Sequence, residues 1–217
     1  MSFQTIIDNA TYLTINKRKT TAASVSRSGH IKTAERNPSV YSFTVGSVPG
    51  LKYSENRGVL EDIDTLDRVT EANVTFGSNA GMHYITAYQG SVADAQLNNI
   101  VMVGGDGKEL YINMSGVTGS GTLFKKGDFV QPAGNANIYR YPYQVTSDVS
   151  FSTGANVTIP VHRPVLAQAG QVITSGGLRT GTECRFHVKA MECPTYSIVP
   201  HDLIQFDGDF MFAEIIT

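Results

Sequence analysis

Gly119-Ser-Gly-Thr-Leu-Phe-Lys-Lys-Gly-Asp-Phe-Val-Gln131 leads through Ile138-Tyr-Arg-Tyr-Pro-Tyr-Gln-Val145 to Asn156-Val-Thr-Ile-Pro-Val-His-Arg-Pro164. This stretch, Gly119 to Leu166, decides the fold class. Lys125-Lys-Gly-Asp128 is a polar turn between the apolar positions Leu123, Phe129 and Val130, and the run from Ile138 to Val145 alternates apolar and polar faces. Pro142 removes one amide from that run, which places it at a sheet edge or a bulge. An edge left uncovered invites pairing with another chain. Short β runs with no nucleophile, metal set or phosphate loop between them read as a surface built to hold other proteins.

The rest of the chain has the same character. Its 217 residues are 41% apolar, enough to bury a real core, and only 17% are charged. Low charge fits a surface that faces protein, and it equally fits a solvated β surface rich in Thr and Ser. The net charge of −2 is unevenly spread: residues 1–58 hold eight Lys and Arg against Asp8, Glu35 and Glu55, a balance of +5 that leaves −7 for the remainder. Such polarity steers assembly with copies or neighbours. The basic part lacks the dense stripe with interleaved aromatics of a base-reading protein. No apolar run approaches the roughly 20 residues of a membrane helix and no secretory h-region opens the chain, so the expected site of action is where the protein is made or a particle assembled there.

The expected organisation is an N-terminal arm or first strand over 1–23, then a β domain over 24–217 with an elaboration around 52–107. Strands are predicted for Val25 to Lys32 and Val40 to Val45, with a turn over Glu35 to Ser39. One helix is predicted from Ser54 to Asp67, with Ser54 as cap and Val59, Ile63 and Leu66 on one stripe. Arg68 to Phe76 and Met82 to Ala87 read as a hairpin, and Val92 to Asn98 as a helical turn. Ile100 to Val103 and Leu110 to Met114 read as strands joined by the tight turn Gly104-Gly-Asp-Gly107. Gly170 to Gly181 reads as a loop, and Val157 to Val161, Glu183 to Met191 and Asp209 to Ile216 as strands.

No constellation of catalytic groups is visible. His30, His83, His162, His187 and His201 form no metal spacing, Cys184 and Cys193 have no second pair, and no Gly-x-Ser-x-Gly occurs. No metal, cofactor or enzymatic activity is therefore expected. Tyr139, Tyr141 and Tyr143 alternate strictly and share one strand face, which suits a protein interface or the core. A glycan-stacking face is the rival use of that row. With Phe129, His162 and Arg163 these tyrosines are the expected interface residues.

The ordered series Leu123-Phe-Lys-Lys-Gly-Asp-Phe-Val-Gln131, Tyr143-Gln-Val-Thr-Ser-Asp-Val149 and Asn156 to Pro164 resembles the tail-tip proteins of tailed bacteriophages, the distal tail or tube-initiating ring class. Arg27-Ser-Gly-His-Ile-Lys32, the helix Glu55 to Asp67, and the closing runs Arg185 to Met191 and Asp209 to Glu214 extend the resemblance over most of the chain. The long Lys52 to Gly107 region and the His-Arg before Pro164 depart from it. The resemblance implies a mainly β fold, a tail-tube-like β-barrel or sandwich with one short helix. It implies a structural virion subunit, a homo-oligomer and most simply a hexamer, that meets tail-tube and baseplate hub proteins around a channel through which DNA passes without base-specific contact. Assembly is expected in the host cytoplasm, with no membrane step. In such a ring Glu61, Asp62, Asp64, Asp67 and Glu71 are candidates to face the lumen, where like charge keeps DNA from sticking. A head-tail neck connector shares this assembly logic, and a carbohydrate-binding β-sandwich module is the remaining alternative.

Overall fold

In the computed structural model, residues 2–17, 21–35, 39–46, 48–66, 71–133, 141–166 and 176–216 are described. The first element is a helix, α1 (Ser2–Asn9). Phe3, Ile6, Ile7 and Ala10 follow the i, i+3, i+4, i+7 spacing of one helix face, and all four are buried. Strands β1 (Tyr12–Asn16), β2 (Thr21–Val25), β3 (Ile31–Glu35) and β4 (Ser42–Gly46) precede the longest helix, α2 (Tyr53–Leu66), and β5 (Glu71–Val74). A 3-10 turn at His83–Ile85 and the short α3 (Asp94–Leu97) lead to β6 (Val101–Asp106), β7 (Glu109–Asn113), β8 (Ser120–Phe124) and β9 (Phe129–Ala133). After these come β10 (Tyr143–Gln144), β11 (Val149–Ser152), β12 (Asn156–Pro160), β13 (Gly176–Thr180), a second 3-10 turn at Gly181–Glu183, β14 (Phe186–Glu192), β15 (Tyr196–Val199), β16 (Leu203–Phe206) and β17 (Phe210–Glu214).

Every strand pair is antiparallel. One sheet has the order β1-β4-β17-β14-β5, another the order β10-β9-β13-β6-β7-β12, and three ribbons pair β8 with β11, β15 with β16 and β2 with β3. The fold is thus mainly β with a few short helices. None of these sheets closes into a barrel. The five-stranded sheet packs Tyr41, Phe43, Phe76, Phe186, Phe210 and Phe212 under α1 and α2, with ring centroids 5.0–6.3 Å apart. The six-stranded sheet has its own core of Met102, Leu110, Ile112, Leu123, Phe124, Val130 and Ile159. Phe129 starts in the second sheet yet packs in the first core, its ring 5.9 Å from Tyr41 and 5.7 Å from Phe186. Gln131 crosses the same seam, donating to the Arg185 carbonyl at 2.9 Å and accepting from its amide at 2.8 Å.

Several expectations need correction. More than one helix forms: the segment expected as an arm or first strand over 1–23 contains α1 as well as the strand β1, because the helical spacing of Phe3, Ile6 and Ile7 outweighs their short polar context. The expected strand Val25 to Lys32 is instead the end of a ribbon, with the turn at Ser26–His30. Met82 to Ala87 is a turn followed by 3-10 helix because the buried Asn79 side chain donates to the Ile7 carbonyl (2.6 Å) and accepts from the Gly81 amide (2.8 Å), fixing a compact bend there. Gly104 and Gly105 lie within β6 at a register shift, so the turn begins only at Gly107, whose φ is 52°. The end of the predicted glycine-rich loop, Gly176–Thr180, is a strand between β6 and β9. Residues 52–107 supply β5 to one sheet and β6 to the other. At the edge of the six-stranded sheet stands β10, directly after Pro142, as the missing amide requires.

Candidate functional site

The densest polar constellation lies in the seam between the two cores. On leaving β12 the chain makes an isolated bridge between Val145 and Val161, which turns Arg163 inward. Arg163 meets Glu214, the last residue of β17, in a two-pronged ion pair: Nη1 to Oε2 and Nη2 to Oε1, each 2.6 Å, both side chains fully buried. Nη1 also donates to the Ser39 carbonyl at 3.0 Å and Nη2 to the Pro142 carbonyl at 2.9 Å. The rings of Tyr143, Tyr41 and Tyr141 surround the guanidinium at 5.4, 5.6 and 5.7 Å. Glu214 is held in turn by the Tyr41 amide, which donates to Oε2 at 3.1 Å. One residue from each sheet system therefore neutralises the other.

A second shell surrounds this pair. His162 donates its backbone amide to Gln144 O at 3.0 Å and accepts from the Gln144 amide through Nδ1 at 2.9 Å, which leaves the ring proton of the neutral form on Nε2. Burial, followed by the charges of Arg163 and Lys17, pushes the His162 pKa down to about 3. Lys17 donates to Gln144 Oε1, and its pKa is lowered by burial and then by Arg163. Burial pushes Tyr143 up to about 12 and Tyr41 up strongly. Tyr41, Tyr143 and His162 are thus neutral and Arg163 is charged at physiological pH. The Arg163–Glu214 pair is sealed from solvent. What the arrangement does is join two sheets.

The expected site residues fall in three places. Phe129, Tyr141, Tyr143 and Arg163 are buried inside the chain, and the rings of Tyr141 and Tyr143 lie around the guanidinium. His162 belongs to the same cluster and is partly exposed. Tyr139 and Asp67 lie outside the described residues. Glu61, Asp62 and Asp64 are exposed on α2. Glu71 instead meets His187, with Oε2 2.6 Å from Nε2, across the β5–β14 pair, and the other ring nitrogen is 3.2 Å from Asn73 Oδ1. Among the described residues no group of three His, Cys, Asp or Glu side chains is placed to hold a metal ion. Cys184 is buried and Cys193 partly so.

Sequence reading missed Glu214, Tyr41 and Lys17. A signal for the first was present: Phe210, Phe212 and Glu214 occupy successive inward positions of a strand with period two, so Glu214 had to be a buried charge in need of a cation. Nothing local names Arg163 as that cation, 51 residues away in the chain. The chain matches no known protein-family model and no curated protein sequence.

Proposed function

We propose that this protein is a structural subunit of a bacteriophage tail tip or baseplate, assembling with its own copies into a ring that initiates or continues the tail tube around the DNA channel. The observation that supports this reading most is the contrast between a locked interior and open sheet margins. Strands β1 and β5 are the free ends of one sheet, whereas β10 and β12, the end strands of the other, are tied to each other through the Val145–Val161 bridge and the hydrogen bonds between Gln144 and His162. Tyr12 and Ile15 of β1 are 43% and 38% exposed. An uncovered edge with apolar side chains is a template for another chain's strand. A tail-tube-like arrangement would arise when several open sheets meet edge to edge across copies.

Light scattering and negative-stain microscopy of the purified chain test this. The expected particle is a ring, sixfold in its simplest form, with a central hole. A monodisperse monomer at every concentration would overturn it. Immunogold labelling of the virion then separates a tail-tip position from a head-tail neck, where a connector would sit.

A further inference from the structure

Ile31 and Val25 are the most exposed large apolar side chains of the described residues, at 69% and 68%. They lie directly opposite one another at the far end of the β2–β3 ribbon, so they form one apolar spot. Every residue from Ala23 to Lys32 is exposed. A lone two-stranded ribbon is marginal in water, yet this one is closed by a well-bonded tip. Ser26 donates to the His30 carbonyl and Gly29 to the Ser26 carbonyl, both at 2.9 Å, and the His30 amide reaches Ser26 Oγ at 3.1 Å. Gly29 takes a φ of 80°, which glycine adopts without strain. Arg27 and Lys32 charge the tip, and no carboxylate occurs between Ser24 and Ala34.

A surface of complementary character lies between α2 and the β15–β16 ribbon. Helix α2 and the β15–β16 ribbon enclose a groove of about 270 Å³, walled by Leu60, Ile63, Cys193, Tyr196 and Phe206 and bordered by Asp64. Glu61, three positions before Asp64, is its neighbour on the helix surface. No basic residue occupies the last turn of α2. Ile198, 55% exposed and two residues beyond Tyr196, extends the apolar wall along β15.

We propose that the β2–β3 arm of one copy docks in the groove between α2 and β15–β16 of a second copy. Val25 and Ile31 enter the apolar groove, and Arg27 meets Asp64 and Glu61. Arm and groove are different patches, so the contact runs head to tail and either closes into a ring or continues as a chain. Charge argues for a copy of this chain as the occupant: the basic arm and the acidic groove lie in oppositely charged parts of one sequence. Nucleic acid is disfavoured, since an apolar groove bordered by carboxylates repels a phosphate backbone. The inference rests on the assembly reading only in requiring copies of the chain to meet.

The test uses the full chain and two variants, Val25→Asp with Ile31→Asp, and Glu61→Lys with Asp64→Lys. All four positions are exposed, so circular dichroism and melting should match the unmodified protein. The unmodified chain should run in light scattering as a multiple of 23.5 kDa. Each variant alone should weaken self-association by at least about 100-fold and run as a monomer. Mixed in equal amounts they should form a dimer, because one keeps its groove and the other its arm. Variants that assemble normally, or a mixture that stays monomeric, would overturn the proposal. A closed ring that survives Val25→Asp with Ile31→Asp leaves the tail-ring reading standing and removes the arm contact. Arm-dependent open chains do the reverse, and a monomeric unmodified chain removes both. If Glu61→Lys with Asp64→Lys leaves the ring intact but makes it retain DNA, the carboxylates line the channel and the arm does not cover them.

Discussion

Arg163 is the residue on which the interior turns. Its guanidinium is compensated by Glu214 and two backbone carbonyls, so deleting either partner strands a charge in a dry site. Arg163→Ala should cost about 3–5 kcal/mol in urea denaturation, whereas Arg163→Met combined with Glu214→Leu should recover most of the loss, since an apolar pair of similar volume carries no desolvation penalty. His162 gives a separate pH signature. Its folded pKa of about 3 lies below the ordinary value near 6.5, so the unfolded chain binds the extra proton first. The neutral ring's contribution is intact above pH ~6.5 and is lost as pH falls toward about 3, with a slope approaching about 1.4 kcal/mol per pH unit. His162→Asn, which keeps an acceptor for the Gln144 amide, should flatten the stability profile across that window. An unchanged profile would show that the ring is not buried as described.

Elements in this fold are fixed by distant side chains as much as by their own sequence. Ser54 was the predicted cap of α2, yet its amide donates to Asp202 Oδ1 at 3.0 Å and its hydroxyl to Asp202 Oδ2, while Tyr53 N donates to Asp202 O at 2.8 Å. Asp202 reaches there from the β15–β16 turn, where it and His201 take φ values of 63° and 69°. The Ser54 hydrogen bond holds the Asp202 carboxyl below its usual range, so its stabilising effect is present at neutral pH and fades as pH falls through that lowered value. Asp202→Ala should lower the melting temperature and speed hydrogen exchange at the start of α2 before it affects any strand. Asp128 has the same office in the Lys-Lys-Gly-Asp turn: buried, it accepts from Lys125 N at 2.9 Å and from Gln89 N at 3.2 Å. Asp128→Ala should cost about 1–3 kcal/mol through two stranded donors, measured by denaturant midpoint. Gly90 shows how closely that loop lies on β8, because an added Cβ would stand 2.1 Å from the Leu123 carbonyl oxygen.

At the scale of the molecule, two packed clusters share a seam made by Phe129, Gln131 and the Arg163–Glu214 pair. In the unmodified protein, native-state hydrogen exchange should protect both larger sheets to a similar free energy. In Arg163→Ala the sheets should separate into two exchange classes, since the seam then opens below the global unfolding cost. Uniform loss of protection would mean that the clusters remain one cooperative unit without the ion pair. The same scale explains what sequence reading missed. The Lys125–Asp128 turn, the edge character conferred by Pro142, helix α2 and the closing strand were legible, because each follows from local periodicity or from a residue that restricts its own backbone. The ribbon register, strand β13 and the 3-10 turn after Asn79 were not, because each depends on partners far along the chain.

By itself the sequence determined a mainly β chain with low charge, opposite charge in its two parts and a strand edge at Pro142. These follow from side-chain period and backbone restriction, which act over a few residues. Only the tertiary structure decided that Tyr141 and Tyr143 turn inward around Arg163, that β2 and β3 pair only with each other in an exposed ribbon, and that α2 and β15–β16 border a groove. Burial and pairing are set by which segments meet, and contact between segments far apart in the chain leaves no local mark on either one.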